Sequence, residues 1–330
     1  MKHYVLAANR QRDVEYQYAD FRYENDMSLS LFKYTRLRTA MIKLIDRFHL
    51  RSNAFVQKYF FRKIFAKEFF SSIVQDREKE YVFIIMARAY ERYGSFLIHE
   101  IHSRFPESHT VLFLADLVHT MRFTMEDARN DFDIICSFDE KEAEKYGFQF
   151  VLEPFSSRLT EKLDDVSNPE YDVTFVGAAK NRYSEIISLY EALNMNGLKC
   201  DFHITEINRK NQKYKNEIHY GRLDFESVLK HVKNAKCVAE IMQKGAYSGT
   251  TRYAEAMLFG RNLITDCKAF REPLNKENNI FYFEDIRDIP FHKITRKTDY
   301  NIRKYEQIFS VRSFVNCIDM HLESFKKKGK

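Results

Sequence analysis

The chain has 330 residues, 45% of them hydrophobic, with 53 Lys and Arg against 47 Asp and Glu and a net charge of +6. That composition excludes a disordered or fibrous chain and suffices for two hydrophobic cores. No run approaches the roughly twenty apolar residues of a bilayer span. The opening MKHYVLAANRQRD lacks an apolar stretch followed by a small-residue cleavage site, so a cytoplasmic protein is expected.

The charge is concentrated early. Residues 31–70 hold ten Lys and Arg against two acids, a net of +8 that leaves the other 290 residues at −2, and ten Phe or Tyr are interleaved with them. Leu37, Met41, Leu44, Ile45 and Phe48 have the three-and-four spacing of an amphipathic helix, and a second helical run is expected from Phe55 to Phe70. Two readings stand: a solvated basic face on a core-packed helix pair, or a surface that rests on anionic lipid headgroups with its aromatics in the interface. No nucleic-acid-binding motif accompanies the segment, and no nucleic-acid partner is expected.

From residue 81 strands and helices alternate. YVFIIMAR (81–88) reads as a strand, ERYGSFLIHEIHSRF as a helix and SHTVLFLAD (108–116) as a strand. FDIICSF (132–138), the helix DEKEAEKYG and the short strand FQFVLEP follow. The polar segment 156–171, with Pro169, reads as a linker. Beyond it come YDVTFVG, the helix KNRYSEIISLYEALNMNG, LKCDFHIT, a charged insert, the helix FESVLKHVKNA, KCVAEIM, the helix TTRYAEAMLFG, NLITD and FYFED, with a long closing helix over 298–325. The expected fold is α/β with two Rossmann-like domains, 1–156 (carrying the basic insert 31–70) and 157–330, facing across a cleft. Ligands of open parallel sheets bind beyond the carboxyl ends of the strands, so the residues just after strands are the candidates.

In EIMQKGAYSGTTRYAEAMLFGRNLITD (240–266) a strand ends near Met242, a loop with Gly245 and Gly249 follows, and Ser248, Thr250 and Thr251 can cap a helix whose first amides suit a diphosphate. Arg252 and Glu255, three apart and expected on an exposed turn, could neutralise phosphate and accept hydrogen bonds from sugar hydroxyls. The alternative is a surface ion pair. Gly177 to Asn181 reads as a turn that lets backbone approach a phosphate, with Lys180 and Arg182 closing over it or standing as surface charges. No GxGxxG or Walker sequence is present, which disfavours a nicotinamide or ATP fold. Asp116, at a strand end, is either a base for an acceptor hydroxyl or a helix cap, with His119, Glu91 and Asp139 as substitutes. Asp131 and Asp133 spell a DxD but lead into a strand, so no metal is expected there, and the eleven histidines form no HExxH or comparable pair. The five cysteines, Cys136, Cys200, Cys237, Cys267 and Cys317, are too scattered for a CxxC site and are expected as buried thiols.

The segment Gly-x-x-x-x-Thr-Arg-x-x-Glu-Ala-hydrophobic-x-x-Gly, followed by a strand and Thr-Asp, resembles the donor-binding segment of GT-B glycosyltransferases, in particular the bacterial lipopolysaccharide and capsular polysaccharide proteins and their spore-protein-like relatives. VLFLADLVHTMR, FDIICSFDEKEAEKYGFQFVLEP and YDVTFVGAAKNRYSEI resemble further segments of that group in the same order over 81–290. Ala115 stands where relatives have Trp, and Glu142 where they have a second Asp. The resemblance implies a GT-B architecture and a nucleotide diphosphate-sugar donor held by Gly177, Lys180, Arg182, Ser248, Gly249, Thr250, Thr251, Arg252 and Glu255. It further implies a glycan or lipid-linked glycan acceptor served by Asp116, and neither cofactor nor metal. A GT-B-like protein without turnover, acting in assembly, is the alternative. The inner face of the plasma membrane is the expected location if 31–70 binds lipid.

Overall fold

The structure, a computed structural model, describes residues 2–32, 36–48, 50, 56, 69–70, 73, 79–156, 158, 166, 168–270, 278–297 and 301–328. The second basic run, including Arg51, Lys58, Arg62 and Lys63, and most of the 156–171 linker lie outside the described residues. The chain divides into two compact units, 1–156 with 311–330, and 157–310.

The first unit opens with two strands that the sequence reading did not assign, β1 (Lys2–Asn9) and β2 (Met27–Phe32), separated by α1 (Arg12–Gln17). The basic helix α2 (Arg36–Arg47) follows, then β3 (Glu80–Met86), α3 (Ala87–Tyr93) and α4 (Ser95–Arg104). The single helix expected after β3 is broken at Gly94, whose φ of 59° and ψ of −161° suit only a residue without Cβ. The unit continues with β4 (His109–Leu114), α5 (Met125–Asp131), β5 (Ile134–Ser137), α6 (Glu140–Tyr146) and β6 (Gln149–Phe150). The strands form one sheet in the order β2-β1-β3-β4-β5-β6, every neighbouring pair parallel. Tyr81–Met86 and Thr110–Leu114 are buried throughout, as expected for strands covered on both faces. The strand order reverses between β1 and β3.

The second unit runs β7 (Tyr171–Ala178), α7 (Tyr183–Met195), β8 (Cys200–Thr205), β9 (His219–Tyr220), α8 (Phe225–Lys233), β10 (Ala235–Glu240), α9 (Thr251–Leu258), β11 (Asn262–Thr265), β12 (Ile280–Tyr282) and α10 (Ile302–Ile308). Its sheet order is β12-β11-β10-β7-β8-β9, again parallel throughout. Counted within the unit this is the dinucleotide-fold order 3-2-1-4-5-6, with the reversal between β7 and β10.

The closing helix expected over 298–325 is two helices, because the turn at Phe309–Ser310 separates α10 from α11 (Val311–Lys328). α11 belongs to the first unit, not the second. Val311, Phe314, Val315, Ile318 and Leu322 form its buried stripe, with Phe314 edge-on to Phe113 and Tyr18. Its polar side is tied to the same unit by Arg312 with Asp26 and Glu24, Lys2 with Asp319 and Glu323, and Lys326 with Glu80. On α2, Ile45 is buried and Met41 packs on the core, whereas Leu44 and Phe48 are 56% and 59% exposed beside exposed Lys43 and Arg47. None of the five cysteines is in a disulfide.

Candidate functional site

In a parallel sheet all strands end on one edge, and where the order reverses the two flanking crossovers leave in opposite directions, so the backbone there is open to a ligand. In the second unit that place lies between the ends of β7 and β10, and Arg182 bridges it. Its guanidinium donates to the Ile241 carbonyl after β10 and to the Ala178 carbonyl of β7, at 3.3 and 3.4 Å for the latter. Burial pushes the guanidinium below its ordinary pKa, against the opposing charges of Glu240 and Asp266. Gly177 lies inside β7 and not in a turn; a Cβ there would meet the Phe175 ring at 3.1 Å and Arg182 Nη2 at 3.5 Å. The left-handed residue of this loop is Lys180, φ 43°, whose Nζ donates to Gln243 Oε1 at 2.8 Å at the exposed rim.

Thr250 caps α9, accepting from the Arg252 amide at 3.2 Å. Beneath it stands a residue that sequence reasoning missed. Glu240, the last residue of β10 and 2% exposed, accepts from the Thr250 amide (2.9 Å) and Oγ1 (2.7 Å) with one oxygen and from Thr265 Oγ1 (2.7 Å) with the other. A charged residue closing the apolar run Cys237–Ala239 was the available signal. Ser248 is buried in the same loop, and a Cβ on Gly249 would come within 2.9 Å of the Phe270 ring, which would have to shift to admit it. Thr251 is the first helical residue and half-buried.

Arg252 and Glu255 do share one face of α9 and form an ion pair, but not on an exposed turn. Glu255 is 0% exposed, one carboxylate oxygen is held by Arg252, and the other, Oε1, is buried without a hydrogen-bond partner among the described residues. Burial, opposed by Arg252 and aided by the charge of Glu240, pushes its carboxyl up to about 7. Asp266, missed as a site residue, accepts from the Met242 amide at 2.6 Å and is pushed up to about 6, mainly by burial. Two arginines therefore face three carboxyls, two of them shifted toward their neutral forms, and the cluster carries less negative charge near neutrality than its composition suggests.

In the first unit the reversal lies between β1 and β3. It is bridged by Asn9, another residue the sequence reading passed over, whose Nδ2 donates to the Arg88 carbonyl at 2.8 Å while its buried Oδ1 has no partner among the described residues. Asp116, two residues beyond β4, caps nothing: the turn after it starts from Leu117. Its carboxylate takes Arg88 Nη2 at 3.1 Å, and Arg88 Nη1 holds Glu91 at 2.9 Å. Burial works to lower the Arg88 guanidinium, but the bonds to Glu91 and Asp116 outweigh it and raise it. Of the substitutes, His119 is exposed, Glu91 also accepts from the Arg122 amide at 2.9 Å, and Asp139 is the buried cap of α6, accepting from Glu142 N at 3.0 Å. Glu142 in turn accepts from the Val118 amide at 2.9 Å, which fixes the segment after Asp116. The DxD pair is engaged in structure: Asp131 takes the Tyr90 hydroxyl at 2.5 Å and Asp133 the Thr110 amide at 2.9 Å.

Two Rossmann-like units, each built on a parallel six-stranded sheet, make up the GT-B fold. Solved structures agree across almost the whole chain. An alpha-glucosyltransferase in complex with UDP-glucose and DNA containing an abasic site has a TM-score of 0.57 at 10% identity, covering 99% of each chain. An alpha-glucosyltransferase in complex with UDP has 0.55 at 12%, covering 99% of this chain and 100% of its own. A glycosyltransferase from Rickettsia africae has 0.53 at 8%, covering 99% and 98%. No protein-family model and no curated protein sequence matches the chain.

Proposed function

We propose that the protein is a glycosyltransferase that moves a sugar from a nucleoside diphosphate donor to a hydroxyl of a lipid-linked or surface glycan, without a metal ion. The observation that carries this is the cluster at the ends of β7, β10 and β11, where Arg182 and Arg252 stand with the α9 N-terminus and the unpartnered Glu255 oxygen. The two guanidiniums and the capped helix end would stabilise the diphosphate as the bond to the anomeric carbon breaks and negative charge develops on the leaving oxygen. Glu255 Oε1, buried beside Arg252, would accept from the hydroxyls of the donor ribose or sugar, and Lys180 at the rim would add a further cation. Gly177, Ser248, Gly249 and Thr251 would bring backbone close to the phosphates. Asp116, oriented by Arg88, would take the proton of the acceptor hydroxyl as its oxygen bonds the anomeric carbon.

The fold likeness to enzymes solved with UDP and UDP-glucose supports this donor class. The bacterial polysaccharide acceptor rests on the sequence resemblance over 81–290. Attachment to an anionic inner membrane surface rests on the +8 charge of residues 31–70 and on exposed Leu44, Phe48, Lys43 and Arg47 of α2. Among the described residues no helix is long and apolar enough to cross a membrane.

A second reading has its own observation: the alpha-glucosyltransferase with a TM-score of 0.57 was solved with DNA, and the same basic segment would suit a phosphate backbone. The test is a thermal-shift screen with nucleoside diphosphates and nucleotide sugars, followed by nucleotide release with either lipid-linked glycan or duplex DNA as acceptor. Release only with the glycan supports the proposal. Release only with DNA replaces the acceptor, and donor binding without release with any acceptor points to an assembly protein. No binding of any nucleotide refutes the donor reading.

A further inference from the structure

A second polar cluster lies at the other end of the same sheet. Asp201 is the second residue of β8, whereas the donor-side groups follow the last residues of β7, β10 and β11. His203, two positions on, shares the Asp201 face of the strand. His231 comes from α8, two residues before the helix ends and four before β10 starts. His203 Nε2 is 3.0 Å from Asp201 Oδ1, and His231 Nδ1 is 2.7 Å from Oδ2. The donor atoms of all three residues lie within 4.8 Å of one another. Asp201 and His203 are buried and His231 is partly open, so the group is desolvated on one side and reachable on the other.

Two imidazole nitrogens and a carboxylate oxygen, drawn from a strand and a helix, are a donor set for a borderline divalent cation. The surroundings suit one. Thr174 Oγ1 lies 3.0 Å from the Asp201 carbonyl and 3.5 Å from Oδ2, where it steadies the carboxylate, and the ring of His219 stacks on His203 at 4.7 Å. A positive ion would also offset the cost of burying the Asp201 charge. We propose that Asp201, His203 and His231 bind a divalent transition-metal ion, zinc by its donor set, which clamps the end of α8 to β8. The ion takes the place of the hydrogen bonds between the two imidazoles and the carboxylate, and three protein ligands leave a fourth tetrahedral position for water. Lying at the starts of the strands, this site takes no part in the proposed transfer chemistry.

The experiment uses the full chain, stripped with a chelator, dialysed and titrated with Co²⁺ and then Zn²⁺. The expected result is one Co²⁺ per chain with the visible absorption of tetrahedral coordination, displaced by Zn²⁺, and a rise in Tm with Zn²⁺. His231→Gln, at a partly open helix position where folding should survive, abolishes the absorption and the Tm rise. His203→Gln and Asp201→Asn do the same, with circular dichroism reporting that each is folded. His219→Gln, whose ring only stacks, keeps both. Folded wild-type protein without stoichiometric Co²⁺ absorption, an unchanged spectrum in His231→Gln, or its loss in His219→Gln would overturn the assignment.

Discussion

The two sheets reverse strand order at comparable places, yet they bridge the reversal differently. In the first unit a neutral amide, Asn9, spans β1 and β3, and the ion pair of Arg88 with Asp116 near it is half-exposed and can adjust to what binds. In the second unit a guanidinium, Arg182, spans β7 and β10, and its neighbour Glu240 is enclosed, as is Glu255 near Glu240. Buried charges are held rigidly and are strengthened by the low dielectric, which suits recognition of a fixed anionic group. Exposed ones are screened and mobile, which suits a proton acceptor that meets varied hydroxyls.

Removing Glu240 should break this contrast most severely. Glu240→Ala leaves Thr250 and Thr265 without their acceptor, and loss of three charge-assisted bonds should destabilise the second unit by about 3 kcal/mol or more in urea unfolding. A loss below about 1 kcal/mol would mean that the loop does not depend on this carboxylate.

Glu255 gives a pH signature of similar size. Its folded pKa of about 7 lies above the ordinary 4.5, so its contribution to stability is present below about pH 4.5 and is lost as pH rises through about 7. That shift corresponds to something on the order of 3 kcal/mol. The wild type should therefore lose stability relative to Glu255→Gln between about pH 5 and about pH 8, read by thermal unfolding at each pH. Parallel curves for the two proteins would remove the buried carboxyl from the account.

In the first unit the effect should appear in turnover and not in stability. Asp116→Asn should lower turnover about a hundredfold with donor affinity unchanged, while unfolding shifts by less than about 1 kcal/mol because the Arg88 pair is exposed. Unchanged turnover would place the base elsewhere. Gly249→Ala is a smaller perturbation: its Cβ must displace the Phe270 ring, for a cost of about 1 to 2 kcal/mol in unfolding and a weaker donor complex. An Ala variant with wild-type affinity would mean that this turn does not approach the ligand.

Much of the scaffold was legible because apolar runs such as Tyr81–Met86 and Val111–Leu114 are buried on both faces, and because Asp139 and Gly147 punctuate α6 with a cap and a left-handed end. β2 was not, since Met27–Phe32 is a six-residue edge strand with mixed burial. The apolar stripe of α11 reads as a helix, but nothing local says which sheet receives it. At the site, the three-residue spacing of Arg252 and Glu255 announced their pairing. The burial of Glu255 did not show, because it depends on packing against β10, whose terminal Glu240 is fifteen positions away. Asn9, and the meeting of Asp201 with His231, arise from sheet order alone and have no spacing to betray them.

Whether the buried charges of the second unit bind a diphosphate is decided by calorimetric titration of a nucleoside diphosphate into wild type and an Arg252→Ala/Glu255→Gln double variant. The double change leaves no charge buried without its partner, so a folded protein is expected and unfolding curves verify it. Binding to the wild type that weakens about ten- to a hundredfold in the variant, the equivalent of one charged hydrogen bond, is the predicted result. Equal affinity in the two proteins, or no binding to the wild type, would contradict it.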